Sequence, residues 1–311
     1  MMTDLTALNT LESRLNGSMK LIRMAPMAQY TTLRLGGPAD MLAEPASPEQ
    51  LQQLLTAAHE LNIPVTLMGH GSNLLVKDGG IRGLVIRICR EMRRMEVQGD
   101  TLRAEAGAML SSLAMTAAEH SLGGLTFASG IPGTVGGGVY MNAGAYGGEM
   151  SQVVTLVEGM SLTGEAFAYT GEEMQFSYRH SRLMDENKIV THVTCRRPHA
   201  DRETLVKEMV ELNRRRAEKQ PLTLPSAGST FKRPVGGYAS ALVDECGLKG
   251  ASIGGAQVSE KHAGFLVNRG GTAADFLALI AHVQQVVLKE KGVQLETEVR
   301  ILGEDTPRSA V

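Results

Sequence analysis

The sequence predicts an α+β protein. Helical patterns and hairpin signals interleave along the chain without the regular strand–helix alternation of a doubly wound sheet. A Gly-Asp pair sits between two alternating apolar runs, a strong hairpin signal. The closing third holds two helical stretches followed by one alternating segment.

Taken in order, residues 1–29 are expected to form an irregular lead-in with a short helix. Ser47 then offers an N-cap, Pro48 a first helical position and Gln50 a capping-box partner. Leu51, Leu54, Leu55, Ala58 and Leu61 mark one apolar face of that helix. "IPVTLMG" is expected as a short buried strand and "GLVIRIC" as another. "RRMEVQGDTLRAEAG" folds back at Gly99-Asp100. A helix over 111–122 is expected to stop at Gly123.

A glycine-rich loop follows, then a second hairpin in "VVTLVEGMSLTGEAFAYT" and a strand in "KIVTHVTCRR". "DRETLVKEMVELNRRRAEKQP" has the charge of a surface helix, stopped by Pro221, and suits a domain boundary. "YASALVDECG" and "TAADFLALIAHVQQVVLKEKG" are both helical. In "VQLETEVRILG", alternation puts Val293, Leu295, Val299 and Ile301 on one face and Glu296, Glu298 and Arg300 on the other.

Composition narrows the function classes. The 311 residues suffice for about two domains, and a net charge of −2 leaves no basic footprint for nucleic acid or a lipid surface. Aromatic residues make up 4% with no tryptophan, which argues against a base-stacking platform. Cys89, Cys195 and Cys246 form no CxxC pair and have no histidine at metal-ligand spacing, so reduced thiols and no metal are expected. No apolar run reaches the ~18 residues of a membrane helix and the N-terminus lacks an apolar signal core, so a cytoplasmic protein is expected.

Glycine is the compositional outlier, at 35 residues. Seven fall among the 21 residues of "FASGIPGTVGGGVYMNAGAYG", Phe127 to Gly147. This loop has neither the lysine of a P-loop nor the spacing of a dinucleotide fingerprint. Tight helix-to-sheet packing would explain some of the glycines. Together with "GHGSNLLVKDGGIRGLVI", the loop could instead present rows of N–H donors to a pyrophosphate. Two further polar stretches stand out: "FSYRHSRL", with Tyr178, Arg179 and Ser181, and the proline-bounded "PSAGSTFKRP", with Ser229 after Gly228. No GxSxG surrounds Ser229 and no histidine lies near it in sequence, so a hydrolase nucleophile fits poorly.

The ordered set resembles one family. "TTLRLGGPAD", "GHGSNLLVKDGGIRGLVI", "GIPGTVGGGVYMNAGAYGGE", "YRHSRL", "AGSTFKRP", "IGGAQVSEKHAGFLVN" and "LETEVRILG" occur in the order found in UDP-N-acetylenolpyruvoylglucosamine reductases. These flavoenzymes make UDP-N-acetylmuramate for bacterial cell walls. The resemblance implies an FAD-binding region of the vanillyl-alcohol-oxidase (PCMH) type over about 30–198. A C-terminal α+β substrate domain would follow over 199–305, leaving a tail at 306–311.

It implies non-covalent FAD held by Gly69, Gly71, Ser72, Asn73, Leu74 and Leu75 in the first loop. The second would contribute Ser129, Gly130, Ile131, Thr134, Gly136, Gly137, Asn142, Gly144, Ala145, Tyr146 and Gly147, with Ile189 beside them. NADPH would deliver a hydride to the flavin, and the enolpyruvyl ether would then take it at its methylene carbon in the same cleft.

Three catalytic positions carry over with sensible chemistry. Arg179 would stabilise the developing carboxylate-conjugated charge, since a guanidinium fork suits that group. Ser229 would donate the proton, and Glu298 would assist at the same enolic centre. Lys232 could ease the transient alkoxide, while Tyr178, Arg233 and Arg300 match substrate-contacting positions. Arg233 stands where many members have asparagine. The 50 residues from Arg179 to Ser229 resemble the subgroup without an extra substrate-closing loop. A monomer acting on the UDP-sugar, with no nucleic-acid or membrane partner, is expected. Two alternatives are another FAD-dependent oxidoreductase of the superfamily and a nucleotide-binding protein without redox activity.

Overall fold

Leu8, Leu11 and Leu15 recur at helical spacing. In the computed structural model, which describes residues 5–15 and 17–306, they form the buried face of helix α1 (Leu5–Leu15). The lead-in is therefore more ordered than expected. Its leucines join a packed core, and a strand, Leu21–Pro26, follows.

Packing divides the chain into two units that are discontinuous in sequence. The first gathers Met1–Arg23, Met41–His70 and Gly83–Arg216; the second gathers Met24–Asp40, Gly71–Arg82 and Ala217–Val311. Contiguous blocks at 30–198 and 199–305 do not describe this grouping, because the segments 24–40 and 71–82 pack with the C-terminal third.

In the first unit, helix α2 (Pro48–Glu60) starts where the sequence places it. Ser47 Oγ accepts the Gln50 N–H at 3.3 Å and Pro48 takes the first turn. The expected capping box does not close. The Gln50 carboxamide instead accepts from Ala46 N–H at 2.7 Å while donating to the Ser18 carbonyl at 2.9 Å. Strand Val65–Met68 is half-buried and runs parallel to Ile81–Arg87.

The two expected hairpins supply four strands of a five-stranded antiparallel sheet. Its order is Ala166–Thr170, Val154–Met160, Ile189–Arg196, Thr101–Glu105, Met95–Gln98. Gly99 takes the left-handed conformation that its turn requires, at φ 60°.

Helix α3 (Leu110–Glu119) stops four residues short of Gly123. Ser121, at φ 58°, takes the left-handed place usually given to glycine. Its N–H and that of Leu122 close onto the Ala118 and Ala117 carbonyls, at 3.1 and 2.8 Å. Three helices complete the unit: the short α4 (Val135–Tyr140), α5 (Arg182–Glu186) and the surface helix α6 (Arg202–Lys219). Only Leu205 and Met209 of α6 are buried, and its end two residues before Pro221 is as expected.

The second unit is a four-stranded antiparallel sheet carrying helices α7 (Ala239–Glu245) and α8 (Ala273–Lys291). Its strand order is Ser226–Ser229, Phe265–Asn268, Ala256–Val258, Ser252–Ile253. Phe276, Leu279, Ile280, Val283 and Val287 of α8 fill its core, each burial worth about 1.5–3 kcal/mol. The α8 N-terminus has a Thr272–Asp275 capping box, and the Asp78 carboxylate accepts the Ala273 and Ala274 N–H groups at 2.9 Å each. That contact ties the 71–82 segment to this unit.

The closing segment departs from the alternating strand expected of it. Only Arg300–Leu302 is strand, paired in parallel with Leu74–Val76. Upstream, a single bridge joins Thr297 to Phe231. The backbone bends between the two partners, which breaks the alternation: Leu295 and Val299 are buried, but Ile301 is 36% exposed.

Candidate functional site

Each unit brings part of the predicted site together. In the first, the loop from Ser129 to Gly147 wraps α4, and its glycines divide into two classes. A side chain at Gly136 would meet Ala106 Cβ at 2.9 Å, one at Gly138 the Leu110 methyls at 3.0 Å, and one at Gly144 the Gly148 carbonyl at 2.7 Å. These glycines serve internal packing. A Cβ at Gly137 would meet only Thr134 Oγ1, at 3.4 Å, and one at Gly147 nothing within 4 Å. No neighbour among the described residues demands glycine at 137, which fits a backbone left bare for a ligand's approach. Gly147 has a second reason, its φ of 84°.

The other predicted cofactor residues lie around this frame. Thr134 caps α4, accepting the Gly137 N–H at 3.3 Å. Gly69 lies against it, since a Cβ there would fall 2.3 Å from Thr134 Oγ1. Ser129 is buried, Gly130 and Ile131 are half-buried, and Ala145 leads into Tyr146, which is exposed with φ 54°. Ile189 has its side chain in the core. Asn142 is fully buried, and both ends of its carboxamide are engaged by the protein. Nδ2 donates to the Ser177 carbonyl at 2.9 Å and Oδ1 accepts from Ser151 N–H at 2.9 Å.

Arg216 escaped the sequence reading, being one cation in a charged helix. Its Nε is buried without a hydrogen-bond partner among the described residues. Its Cδ would lie 3.0 Å from a side chain at Gly130, so it flanks the glycine-rich loop. Burial pushes its pKa down, with the nearby Tyr146 phenol acting weakly the other way. A desolvated guanidinium flanking the glycine-rich loop at Gly130 is a ready seat for an anionic group. These features fit FAD, whose diphosphate and ring system need bare backbone and positive potential.

Arg179 lies in a two-residue turn. Ser177 and His180 exchange backbone hydrogen bonds at 3.1 and 3.2 Å, and Tyr178 and Arg179 form the tip. Arg179 has φ 56°, rare for a residue with a side chain, and its guanidinium lies 4.9 Å from the Tyr178 ring.

In the second unit, a short ladder lays Ser229–Lys232 beside Glu296–Glu298. Lys232 N–H donates to the Glu296 carbonyl at 2.9 Å, and Glu298 N–H to the Thr230 carbonyl at 2.8 Å. Thr230, buried, is fixed again by its own N–H to the Gly264 carbonyl at 2.8 Å. Asn73 Nδ2 donates to the Glu298 carbonyl at 3.1 Å, and Arg300 N–H donates to the Asn73 carbonyl at 3.0 Å.

Ser229, Glu298, Lys232, Asn73 and Arg300 are thus assembled on one backbone network. The Lys232 ammonium, expected to be available to an alkoxide, is paired with Glu296 at 3.2 Å. Arg233 stacks on Tyr238 at 4.5 Å. Gly71 is buried, Ser72 and Leu74 are half-buried, and the Leu75 side chain belongs to the core, leaving its backbone as what it can offer a ligand.

Known proteins resemble the chain over nearly all of its length. Residues 39–168 match the FAD binding domain family, and residues 220–302 match the family described as UDP-N-acetylenolpyruvoylglucosamine reductase, C-terminal domain. The UDP-N-acetylenolpyruvoylglucosamine reductase of Levilactobacillus brevis is 50% identical over 93% of this chain and 95% of its own. That of Clostridium botulinum is 48% identical over 90% and 92%. The crystal structure of the reductase from Thermus caldophilus superposes with a TM-score of 0.79 at 36% identity, covering 92% of this chain and 99% of that one. The expected α+β fold, an FAD-binding domain with this C-terminal domain, holds.

Proposed function

We infer the function from the family to which the chain belongs, the UDP-N-acetylenolpyruvoylglucosamine reductases: it reduces the enolpyruvyl ether of UDP-N-acetylglucosamine to UDP-N-acetylmuramate for peptidoglycan synthesis. Half-identity across nearly the full length of both chains carries that reading. The protein is an FAD-containing, NADPH-dependent oxidoreductase, and bound FAD, reduced by NADPH, supplies the hydride.

The protein's own residues manage charge and protons. Hydride addition at the methylene carbon leaves negative charge on the neighbouring carbon, delocalised into the carboxylate. Arg179 pairs with that carboxylate and lowers the cost of the charge. Ser229 gives its hydroxyl proton to the carbon, which completes the reduction. A serine suffices as acid because a carbanionic centre is a strong base. Glu298, set on the same ladder, acts at this centre, and Lys232 would offset the serine alkoxide only by exchanging its Glu296 partner. Arg216 and the open glycine backbone at Gly137 would hold FAD, the guanidinium supplying positive potential and the bare backbone room for close approach. Tyr178, Arg233 and Arg300 bind the UDP-sugar.

Anaerobic spectroscopy tests the function directly. NADPH should bleach the yellow protein, and the UDP-enolpyruvyl sugar should restore the colour stoichiometrically. Bleaching without return would point to another flavin oxidoreductase, and a colourless protein to a nucleotide binder without redox chemistry.

We also propose that the enzyme works as a cytoplasmic monomer on a small-molecule substrate. No helix among the described residues is long and apolar enough to cross a membrane. Sedimentation at about 33.3 kDa would support the monomer, and twice that mass would contradict it.

A further inference from the structure

Arginine does not favour the conformation that Arg179 adopts. A φ of 56° at the second tip residue of a two-residue turn is normally left to glycine or asparagine. Such a conformation persists only where the surroundings over-determine it. Two side chains contribute to that constraint: Ser181, which carries no role above, and Asn142, which the resemblance places only among the FAD-holding positions. Asn142 Nδ2 donates at 2.9 Å to the Ser177 carbonyl, the same oxygen that accepts the His180 N–H closing the turn. Ser181 Oγ donates at 2.8 Å to the Tyr140 carbonyl, pinning the residue that follows the turn.

Both locks end on one short stretch. Tyr140 is the last residue of α4, and Asn142, at φ 43°, sits just beyond it. Asn142 and Ser181 are each 0% exposed, so neither bond competes with water. The carboxamide cannot be reversed without loss, because Ser151 N–H needs its oxygen and the Ser177 carbonyl needs its nitrogen.

We propose that Asn142 and Ser181 are positioning residues that clamp the Arg179 turn onto α4, fixing the guanidinium in register with the glycine-rich loop. The proposal rests on the role assigned to Arg179 above. It also gives α4 two tasks: its open glycine, Gly137, faces the ligand, while its C-terminal end holds the arginine.

The test is a double-mutant cycle in the holoenzyme with Ser181→Ala and Arg179→Ala. Reduction by NADPH, substrate-driven reoxidation and thermal stability are measured separately for all four proteins. Ser181→Ala should slow the limiting rate of reoxidation about tenfold in the wild-type background. In the Arg179→Ala background it should slow it less than twofold, because the arginine it positions is gone. NADPH reduction should be unchanged throughout, and the loss of stability should be alike in both backgrounds.

Asn142→Ala gives a second cycle in which only the coupling to Arg179→Ala in reoxidation is read, since Asn142 also stands among the FAD-holding positions. If that variant fails to hold flavin, the serine cycle decides alone. Equal slowing by Ser181→Ala in both backgrounds, or equal slowing of both half-reactions, overturns the proposal. An Arg179→Ala enzyme with normal reoxidation overturns the arginine's role itself, and the proposal with it.

Discussion

The Tyr178–Arg179 turn and the Ser226–Ser229 strand each present a proposed catalytic side chain next to a left-handed backbone, but they place the strain differently. In the strand, Gly228 takes the unusual φ of 77° and Ser229 follows it in ordinary extended backbone. Its neighbours Thr230 and Lys232 are then fixed by main-chain hydrogen bonds. In the turn, Arg179 carries the left-handed φ itself, and buried side chains keep it there. The serine's position therefore depends on backbone and one glycine. The arginine's position depends on side chains that single substitutions can delete.

The largest expected effect breaks the comparison at the turn. Arg179→Gly removes the guanidinium while supplying the residue that the φ prefers. Substrate-driven reoxidation should fall 10²-fold or more, with no loss of stability from the backbone. Gly228→Ala should do the reverse. A Cβ there has nothing within 4 Å, so its cost is conformational alone, about 1 kcal/mol in a urea titration. Arg179→Gly losing more stability than Gly228→Ala would contradict this division of strain.

The ladder beside Ser229 separates two glutamates. Glu298→Gln should depress reoxidation about 10²-fold while sparing flavin content. Glu296→Gln, at an exposed ion pair with Lys232, should cost less than about 1 kcal/mol of transition-state stabilisation, roughly fivefold. A larger effect at Glu296 would reassign the acid on this segment.

The glycine-rich loop offers a contrast of neighbours. Gly137→Val adds bulk toward open space, and should yield folded protein whose FAD affinity drops tenfold or more by fluorescence titration. Gly138→Val drives into Leu110 and should destabilise the fold instead. Matching losses of stability in the two would remove the reason for treating Gly137 as ligand-facing.

The sequence made the outer frame of this site visible and concealed its inner wiring. Ser47 and Pro48 announced α2, and Gly99-Asp100 its hairpin, because both signals are local. The alternation of Val293 to Ile301 misled because a period of two marks extended chain, whatever its partners. Here the segment leaves Phe231 for Leu74–Val76 part-way along, and its faces change with the partner. Asn142 was legible as a site residue, but nothing local shows that its carboxamide is held by Ser177 and Ser151, 35 and 9 residues away. Arg216 gave no signal at all among the other cations of α6.

The smallest expected effect is on acid stability near the turn. Hydrogen bonds from Lys188, then Tyr169 and Arg182, hold the Glu186 carboxyl at about 2, below its ordinary 4.5. A depressed folded pKa means the stability contributed is present above about pH 4.5 and is lost as pH falls toward 2. Glu186→Gln should flatten the pH dependence of the melting temperature across that window. An unchanged slope would mean this exposed cluster contributes nothing measurable.

The most direct test of the account is Ser229→Ala followed through both half-reactions by anaerobic stopped-flow. The serine is assigned to proton donation alone, so NADPH should bleach the flavin at the wild-type rate. Return of colour with the enolpyruvyl substrate should slow by 10²-fold or more. Equal slowing of both steps, or normal reoxidation, would contradict the assignment of Ser229 as the acid.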